Sequence, residues 1–428
     1  MKQKTSIAFH TLGCKLNFAE TSTLTRQFDE AGYEQINFQH EADVYVINTC
    51  SVTENADKEC KQLIRRVKRQ NPASTVVITG CYAQLKPEHI ATFEGVDLVI
   101  GAGEKFNIVQ HLETYKKNGE AKICSCDIEE VNAYHTSWSQ HDRTRTFLKV
   151  QDGCDYTCSF CTIPLARGHS RSDSIVNVVA NVQEIARSGV QEIVLTGVNL
   201  GDFGKGFTGG KRREENFFDL IQALDALPDI PRYRISSIEP NLLTDEIISF
   251  VARSNHFMPH FHIPLQSGSN ALLADMRRRY KRELYQSRVE KIKNCMPHAC
   301  IGVDVIVGFP GETDEEFQTT YDFLHDLDIS YLHVFTYSER EHTKALELSP
   351  VIPMQVRKER NAVLRNLSEK KMHFFESAFR DTVRHVLFEK AEKNDMMEGY
   401  SDNYIRVRLP FREDWVNTIQ AVKLSSCL

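Results

Sequence analysis

The sequence places three cysteines within eight residues, in the stretch Cys154-Asp155-Tyr156-Thr157-Cys158-Ser159-Phe160-Cys161, after an apparent strand over 146–151. Thiolates at this spacing can converge on one iron–sulfur face without leaving the loop. A structural zinc site closes with four protein ligands, and iron–sulfur clusters usually take four cysteines. Three thiols therefore predict a metal position left open for another ligand. The alternatives are a zinc site that lacks its fourth ligand and three ordinary core thiols.

The bulk composition is that of a globular protein with a real core, since 41% of residues are hydrophobic and 26% are charged. A length of 428 residues predicts two or three domains. The sequence has no signal-peptide pattern and no apolar run long enough for a bilayer, so we expect a cytoplasmic protein without membrane contact. In a reducing compartment, twelve cysteines favour metal ligation or free thiols. The net charge of -6 argues against non-specific coating of nucleic acid, although local basic patches are compatible with it.

The first part of the chain, 1–118, alternates short apolar strands with helical stretches. Asn17 with Glu20 three residues later has the spacing of a helix start. The alternation predicts an α/β domain with a doubly wound parallel sheet. The predicted strands are 7–13, 44–48, 75–80 and 97–101, and the predicted later helices are 55–70 and 105–116.

Three cysteines of this domain, Cys14, Cys50 and Cys81, each follow a predicted strand. The carboxyl ends of parallel strands share one edge of the sheet, so three loops can bring these thiols together in a second three-thiolate site. Each of them taken singly could instead be a small buried hydrophobic residue. Cys60 lies inside a predicted helix and is interpreted as structural.

Residues 119–145 are polar and aperiodic, which predicts a linker. From 146 to 372, six strands alternate with helices and predict a partial (β/α)6 barrel with a helical extension, whose site lies at the carboxyl ends of the strands. Polar residues and a glycine gather at those predicted ends and indicate a ligand pocket: Gly197, Asn199, Ser237, Glu239, Gln266 and Asp304. No role is assigned to Cys124, Cys126, Cys295, Cys300 or Cys427.

Residues 373–428 predict a small β-barrel-like module with three strands. Tyr404, Arg406 and Arg408 combine an aromatic ring with a basic strand face, as in small RNA-binding barrels. Basic clusters at 65–69, 211–213 and 277–282, the last containing Arg277, Arg278 and Arg279, add to a predicted polyanion-binding surface. Each cluster taken singly could be a solvated face.

The spacing Cys-x3-Cys-x2-Cys, with Phe160 before the last cysteine, resembles the signature of radical S-adenosylmethionine (SAM) enzymes. Nearly the whole chain is similar to the methylthiotransferase family within that group. The motifs that carry this resemblance are Thr11-Leu12-Gly13-Cys14, Asn48-Thr49-Cys50, Gly80-Cys81-Tyr82-Ala83 and the stretches 149–154, 192–197 and 399–407. Stretches 48–58 and 334–340 most resemble the enzymes that act on N6-threonylcarbamoyladenosine (t6A) in tRNA.

The resemblance implies that Cys154, Cys158 and Cys161 hold a 4Fe-4S cluster that binds and cleaves SAM, with Phe160 near the adenine. The resulting radical would abstract hydrogen from C2 of the target adenine. A second 4Fe-4S cluster on the three N-terminal cysteines would deliver the methylthio group. The implied partners are a tRNA anticodon loop and an electron donor such as a flavodoxin or ferredoxin. The C-terminal module would be a TRAM domain, expected to lack or replace its last strand.

Other substrates are compatible with the same chemistry, namely isopentenyladenosine in tRNA or an aspartate of a ribosomal protein. A different class of protein, a non-catalytic RNA-binding protein with structural zinc, would bind zinc and not cleave SAM. An electron carrier is a further alternative, but it would not need the polar residues at the strand ends.

Overall fold

The computed structural model describes residues 4–50, 54–117, 119–140, 144–205, 207–208, 211–212, 214–389 and 395–424. Arg213 and Cys427 lie outside the described residues, as do the side chains of Lys211 and Arg212. The chain forms two compact units. The N-terminal unit comprises 1–142, 147–156 and 162–173, and the C-terminal unit comprises 143–146, 157–161 and 174–428.

The N-terminal unit is built on a parallel six-stranded sheet with the strand order β2-β1-β3-β4-β5-β6. Alternate residues of each strand enter two separate apolar clusters; Tyr45 and Ile47 pack in one, whereas Val44 and Val46 pack in the other. This alternation confirms the predicted doubly wound sheet. The elements are β1 Ser6–Thr11, α1 Lys15–Glu30, β2 Glu34–Gln35, β3 Val44–Thr49, α2 Glu54–Gln70, β4 Thr75–Gly80, α3 Cys81–Leu85, α4 Pro87–Ala91, β5 Leu98–Ile100, α5 Ile108–Thr114 and β6 Lys122–Cys124.

Residues 119–145, predicted as a linker, contain regular structure. β6 pairs with β5 and extends the sheet, and β7 (Ser137–Trp138) pairs antiparallel with the next strand, placing Ser137 opposite Lys149. The residues Lys122 and Ile123 of β6 are exposed at the sheet edge. An exposed three-residue strand has little hydrophobic periodicity, which explains why the sequence did not predict it.

The next elements are β8 Arg145–Lys149, β9 Gln151–Asp152, α6 Ile163–Arg167 and β10 Arg171–Ser172. β8 begins in the C-terminal unit and ends in the N-terminal unit. The C-terminal unit continues with α7 Ile175–Arg187, β11 Glu192–Thr196, β12 Phe207–Thr208, β13 Lys211–Arg212, α8 Phe217–Asp225, β14 Arg232–Ile235, α9 Asp245–Arg253, β15 His260–Gln266, α10 Asn270–Asp275, α11 Arg282–Cys295, β16 Cys300–Val307, α12 Asp314–Asp326, β17 Tyr331–Thr336 and α13 Met354–Ala378.

The long strands of the C-terminal unit are parallel and alternate with helices, as predicted for the barrel. β11 pairs with β14, and β15 pairs with β16, which pairs with β17. Single parallel bridges, including Ser237 to His262, connect the region of β14 with β15. The carboxyl ends of these strands therefore point in one direction and collect their loops at one end.

The C-terminal module is an antiparallel sheet of β18 Val383–Phe388, β19 Met396–Ser401, β20 Arg406–Pro410 and β21 Ile419–Lys423, in the order β20-β19-β18-β21. This sheet is consistent with a TRAM-like fold. β19 was not predicted, because Glu398 and Gly399 interrupt its apolar pattern.

The module packs on the barrel through buried charges. Arg234 of β14 binds Glu192 of β11 and also donates to the carbonyl oxygens of Ser401 and Asp402, at 3.0 Å each. Burial raises the pKa of the Glu192 carboxyl, but Arg234, with Arg145 and Arg232, outweighs that effect and the net pKa is below its ordinary value. No helix in the described part of the chain is both long and apolar enough to cross a membrane.

Candidate metal centres and the barrel interior

The three cysteines of the N-terminal unit lie at the carboxyl ends of adjacent parallel strands. Cys14 precedes α1, Cys50 directly follows β3, and Cys81 directly follows β4. Two glycines allow their loops to approach. A Cβ atom on Gly13 (φ +99°) would lie 2.8 Å from the Cys50 sulfur, and one on Gly80 (φ +98°) would lie 2.3 Å from the carbonyl oxygen of Thr49.

These close contacts bring the three cysteine-bearing loops together, as the sheet topology predicts. Cys50 and Cys81 are buried, whereas Cys14 is exposed. A centre on these sulfurs would therefore have protein on one side and an open side at Cys14. Burial raises the pKa of the Cys81 thiol, although Arg167 and Lys105 act in the opposite direction. Three soft thiolate donors on converging loops fit an iron–sulfur cluster.

A buried network of charges lies in the same unit, centred on Glu20 of α1. The Glu20 carboxylate accepts from Lys105 at 2.6 Å, from Lys149 at 3.1 Å and from Arg167 at 3.0 Å. Arg167 also donates to Asp152 at 2.9 Å. With Arg171, which also binds Asp152, the cations of this network outnumber its two carboxylates, which favours thiolate over thiol at a neighbouring cysteine.

Sequence reasoning missed this network. It interpreted Asn17 and Glu20 as a helix start, but α1 begins at Lys15 with Cys14 as its N-cap. The Asn17 amide instead donates to the carbonyl oxygens of Leu12 and Thr49 and accepts from Arg167 at 2.7 Å. The available signal was Glu20, a charged residue on the buried side of a helix. Its charged partners are more than 80 residues away along the chain.

The Cys154–Cys161 motif crosses the boundary between the units, with Cys154 in the first and the other two cysteines in the second. The Cys154 N–H donates to the carbonyl oxygen of Gly168 at 3.0 Å, and the Cys161 N–H donates to that of Cys158 at 3.2 Å. All three cysteines are half-buried, and every cysteine in the described ranges is a free thiol. Three free thiols at this spacing along the chain are the donor set that the sequence predicts for a cluster with one open iron.

Arg278 has a placement that the sequence did not predict. Its side chain is only 3% exposed, forms an ion pair with Glu239 and donates a hydrogen bond from Nη1 to the Cys158 sulfur at 3.1 Å. Burial raises the pKa of the Glu239 carboxyl, and Arg278 offsets only part of that effect. Arg277 and Arg279 are exposed. The arginine run thus consists of one inward-facing residue between two outward-facing ones, whereas the sequence indicated a uniform basic surface.

Five of the six predicted pocket residues lie where the parallel strands end, whereas Asp304 lies in the interior of β16. The Asn199 side chain after β11 accepts from the backbone N–H of Glu239 after β14 at 3.4 Å, and the N–H of Leu200 donates to the carbonyl oxygen of Ser237. Gln266 has φ +72° at a register shift that ends β15. Gly197 directly follows β11. These contacts join two of the rim loops, and their role in SAM binding stays a prediction.

Phe160 lies beside the apolar group formed by residues that include Ile306 and Phe309. Its ring meets that of Phe309 edge-on, with centroids 6.5 Å apart. An aromatic face at this place is compatible with an adenine neighbour. That contact also stays a prediction.

A polar cluster was missed inside the barrel, where His262 of β15, Asp304 of β16 and His333 of β17 have ligand atoms within 4.8 Å of one another. Nε2 of His262 lies 2.7 Å from Oδ1 of Asp304. Asp304 had been predicted as a SAM contact. The available signal was the alternation of polar residues with buried apolar ones along β15 and β17.

The predicted RNA-binding residues of the C-terminal module have different environments. Tyr404 is half-buried, and its ring stacks on that of His260 with centroids 4.1 Å apart. Arg406 and Arg408 are 54% and 63% exposed at their side chains, and both bind Glu398. The two arginines are therefore accessible, and RNA binding at all three positions stays a prediction.

Two family models match the chain, "Uncharacterized protein family UPF0004" at residues 6–101 and the "Radical SAM superfamily" at residues 148–324. The threonylcarbamoyladenosine tRNA methylthiotransferase MtaB of Bacillus subtilis is 40% identical, over 98% of this chain and 93% of the relative. MtaB of Aquifex aeolicus is also 40% identical, over 92% and 95%. The tRNA-2-methylthio-N(6)-dimethylallyladenosine synthase of Clostridium tetani is 28% identical, over 100% and 95%.

Among solved structures, the radical SAM methyltransferase TsrM of Kitasatospora setae shares the fold. It superimposes with a TM-score of 0.58 at 15% identity, covering 80% of this chain and 77% of TsrM. The two cysteine centres lie in the segments that match the two family models, and the similarity to the MtaB enzymes extends over nearly the whole chain. The chain therefore belongs to the MtaB family of threonylcarbamoyladenosine tRNA methylthiotransferases, which are radical SAM enzymes.

Proposed function

We propose that this enzyme transfers a methylthio group to C2 of t6A in the anticodon loop of tRNA, giving 2-methylthio-N6-threonylcarbamoyladenosine. The similarity to the MtaB enzymes carries this proposal, because identity reaches 40% with them and 28% with the dimethylallyladenosine enzyme of Clostridium tetani. The two sets of three cysteines supply the ligands that the chemistry needs.

Cys154, Cys158 and Cys161 would hold the cluster that works with SAM. A 4Fe-4S cluster supplies one electron to SAM, whose cleavage gives methionine and a 5′-deoxyadenosyl radical that can abstract hydrogen from an unactivated carbon. Arg278 donates to the Cys158 sulfur, which stabilises negative charge on that ligand. The buried Glu239 fixes the Arg278 side chain by an ion pair. Gly197, Asn199, Ser237 and Gln266 are proposed to hold SAM at the strand ends.

Cys14, Cys50 and Cys81 would hold a second 4Fe-4S cluster, the source of the methylthio group. The supporting observation is their convergence at one edge of the sheet, beside a cationic network. In that network, the Glu20 carboxylate binds Arg167 and Lys105 and fixes their positions. The exposed Cys14 side would leave access for the methyl donor and for the substrate.

The proposed partners are tRNA and a small electron donor such as a flavodoxin or ferredoxin, and the proposed location is the cytoplasm. An adenosine in a loop can leave its stack at a smaller cost than one in a duplex, which suits chemistry at adenine C2. The exposed arginines Arg277, Arg279, Arg406 and Arg408 are proposed to bind tRNA phosphates.

The test is an anaerobic assay of the reconstituted full chain with tRNA that carries t6A, isopentenyladenosine or unmodified adenosine. The nucleosides are then identified by mass spectrometry. We expect the methylthio product from t6A tRNA. Product from isopentenyl tRNA alone would assign the other substrate, and zinc without iron in the purified protein would exclude radical chemistry.

A further inference from the structure

The inner face of β15, β16 and β17 carries side chains to which the chemistry above assigns no task. His333 and Phe335 alternate with Leu332 and Val334 along β17, so the first two share one face of the sheet. His333 and Asp304 are register partners. His262 reaches Asp304 from the neighbouring strand, and the rings of His262 and His333 are 5.4 Å apart.

This face is open, although it belongs to the central sheet of the unit. His333 is exposed and Phe335 is 41% exposed, whereas Ile263, Val303 and Leu332 on the other face are buried. Helix α13 covers the free edge of β17, since the Ser368 hydroxyl bonds both the N–H and the carbonyl oxygen of Leu332. The open space therefore lies on the inner face and is lined by His262, His333 and Phe335.

The C-terminal module closes this space at the amino ends of the strands. The Tyr404 ring stacks on His260, whose Nε2 lies 3.2 Å from the Tyr331 hydroxyl. The Tyr331 ring occupies the space beside Gly302, where an added Cβ would lie 2.3 Å from the ring. Gln266, at the end of β15, and Glu239, after β14, lie at the opposite, carboxyl ends of the strands.

We propose that His262, His333 and Phe335 form the subsite for the target nucleoside, and that the two histidines select the threonylcarbamoyl group on N6. This inference rests on the proposed function and deepens it. The threonylcarbamoyl group carries a carboxylate, a hydroxyl and a urea, all of which can bond to imidazole nitrogens. Phe335 offers a face on which a purine can stack.

Asp304 acts on the substrate through His262 and is therefore a positioning residue. Its hydrogen bond with Nε2 of His262, at 2.7 Å, fixes the orientation of the imidazole and does not involve Nδ1. An isopentenyl group has no polar atoms, so it would cover the two histidines without replacing their bonds to water. Sites built to bond a polar substrate group discriminate strongly against analogues that lack it.

The decisive variants are His333→Phe and His262→Phe, with His325→Phe on the exposed surface of α12 as the matched control. The measurement is kcat/KM for tRNA with t6A and with isopentenyladenosine, on protein whose iron content matches that of the wild type. We expect His333→Phe to lose about 10- to 100-fold with t6A tRNA, the size of one or two hydrogen bonds to a charged group. The preference for t6A over isopentenyladenosine should fall by a similar factor, and the control should keep it.

Unchanged preference in both histidine variants would overturn the inference, while product from t6A tRNA by the wild type would leave the proposed function intact. Wild-type activity on isopentenyl tRNA alone would instead refute the proposed function.

Two histidines and a carboxylate can also hold a divalent metal. One zinc or iron per chain beyond the clusters, lost in His333→Phe, would overturn the inference in favour of a metal site. If His262→Phe does not fold, the test uses His333→Phe alone, because His333 is exposed. The affinity of that variant for an anticodon stem-loop that carries t6A is then compared with that of the wild type.

Discussion

The guanidinium of Arg278 donates a hydrogen bond to the sulfur of Cys158 at 3.1 Å while it forms an ion pair with Glu239. Arg278 thus connects Cys158, a proposed ligand of the SAM-binding cluster, to the carboxylate of Glu239, which follows β14. Hydrogen bonds to a ligating sulfur stabilise the thiolate and tune the reduction potential of a cluster. Arg278 is therefore part of the environment of the proposed cluster and not of a solvated basic patch.

Arg278→Gln should weaken both functions of this side chain, because it removes the charge and leaves one donor nitrogen in place of three. We expect a 10- to 100-fold loss in SAM cleavage, the usual size of such effects around metal ligands. The cluster potential, followed by electron paramagnetic resonance during a redox titration, should fall. Arg253→Gln, on the exposed end of α9, is the control. A potential equal to that of the wild type would show that the hydrogen bond has no electronic effect.

Glu20→Gln should destabilise the N-terminal unit. It leaves Lys105, Lys149 and Arg167 buried with a single remaining carboxylate, Asp152. Removing one partner from a buried charge network costs about 3–5 kcal/mol. Urea unfolding followed by circular dichroism measures the change, with Glu30→Gln at the exposed end of α1 as the control. Equal urea midpoints for Glu20→Gln and Glu30→Gln would show that the charge network does not stabilise the unit.

Acid should destabilise the same unit through Glu20 and Asp152. Burial by itself would raise the pKa of each carboxyl, but Arg167 and its neighbouring lysines outweigh burial, so both pKa values lie well below their ordinary range. The unfolded chain then binds protons at a higher pH than the folded one does. The stability from these groups is complete above about pH 5 and is lost as the pH falls below about 4. Unfolding free energies measured from pH 7 to pH 3 should show this decline, with a shallower slope in Glu20→Gln.

Substitutions should distinguish the roles of the two cysteine sets. Cys154→Ala should abolish SAM cleavage, because it removes a ligand of the radical centre. Cys14→Ala should retain reductive SAM cleavage but give no methylthio product, with about four irons per chain instead of about eight. Cys60→Ala is the control, since Cys60 is buried in an apolar cluster. Methylthio product from Cys14→Ala would refute the second cluster.

Arg406 and Arg408 should contribute to tRNA affinity without changing the chemistry. Replacing both with glutamine should weaken binding and reduce the slope of log affinity against log salt concentration by about 0.7 for each lost phosphate contact. Filter binding at several salt concentrations measures this slope, and Arg253→Gln again serves as the control. An unchanged slope would place the RNA on another surface.

Local residue patterns were sufficient to identify the two cysteine sets and the order of the main elements. The cysteine spacing is local along the chain, and the strands that directly precede Cys50 and Cys81 are apolar runs, which are typical of a parallel sheet covered on both faces. Local patterns of this kind survive in any tertiary context. For the same reason the weakly patterned β6 and β19 were missed.

Which polar residues face the candidate sites depends on contacts between distant parts of the chain. Arg278 and Arg277 are adjacent in an arginine run, yet Arg278 contacts the Cys158 sulfur and Arg277 is exposed to solvent. His262 and His333 are 71 positions apart and meet because three parallel strands are in register. Ion pairs and hydrogen bonds depend on the distance between groups in space, and the linear pattern of residues does not encode that distance.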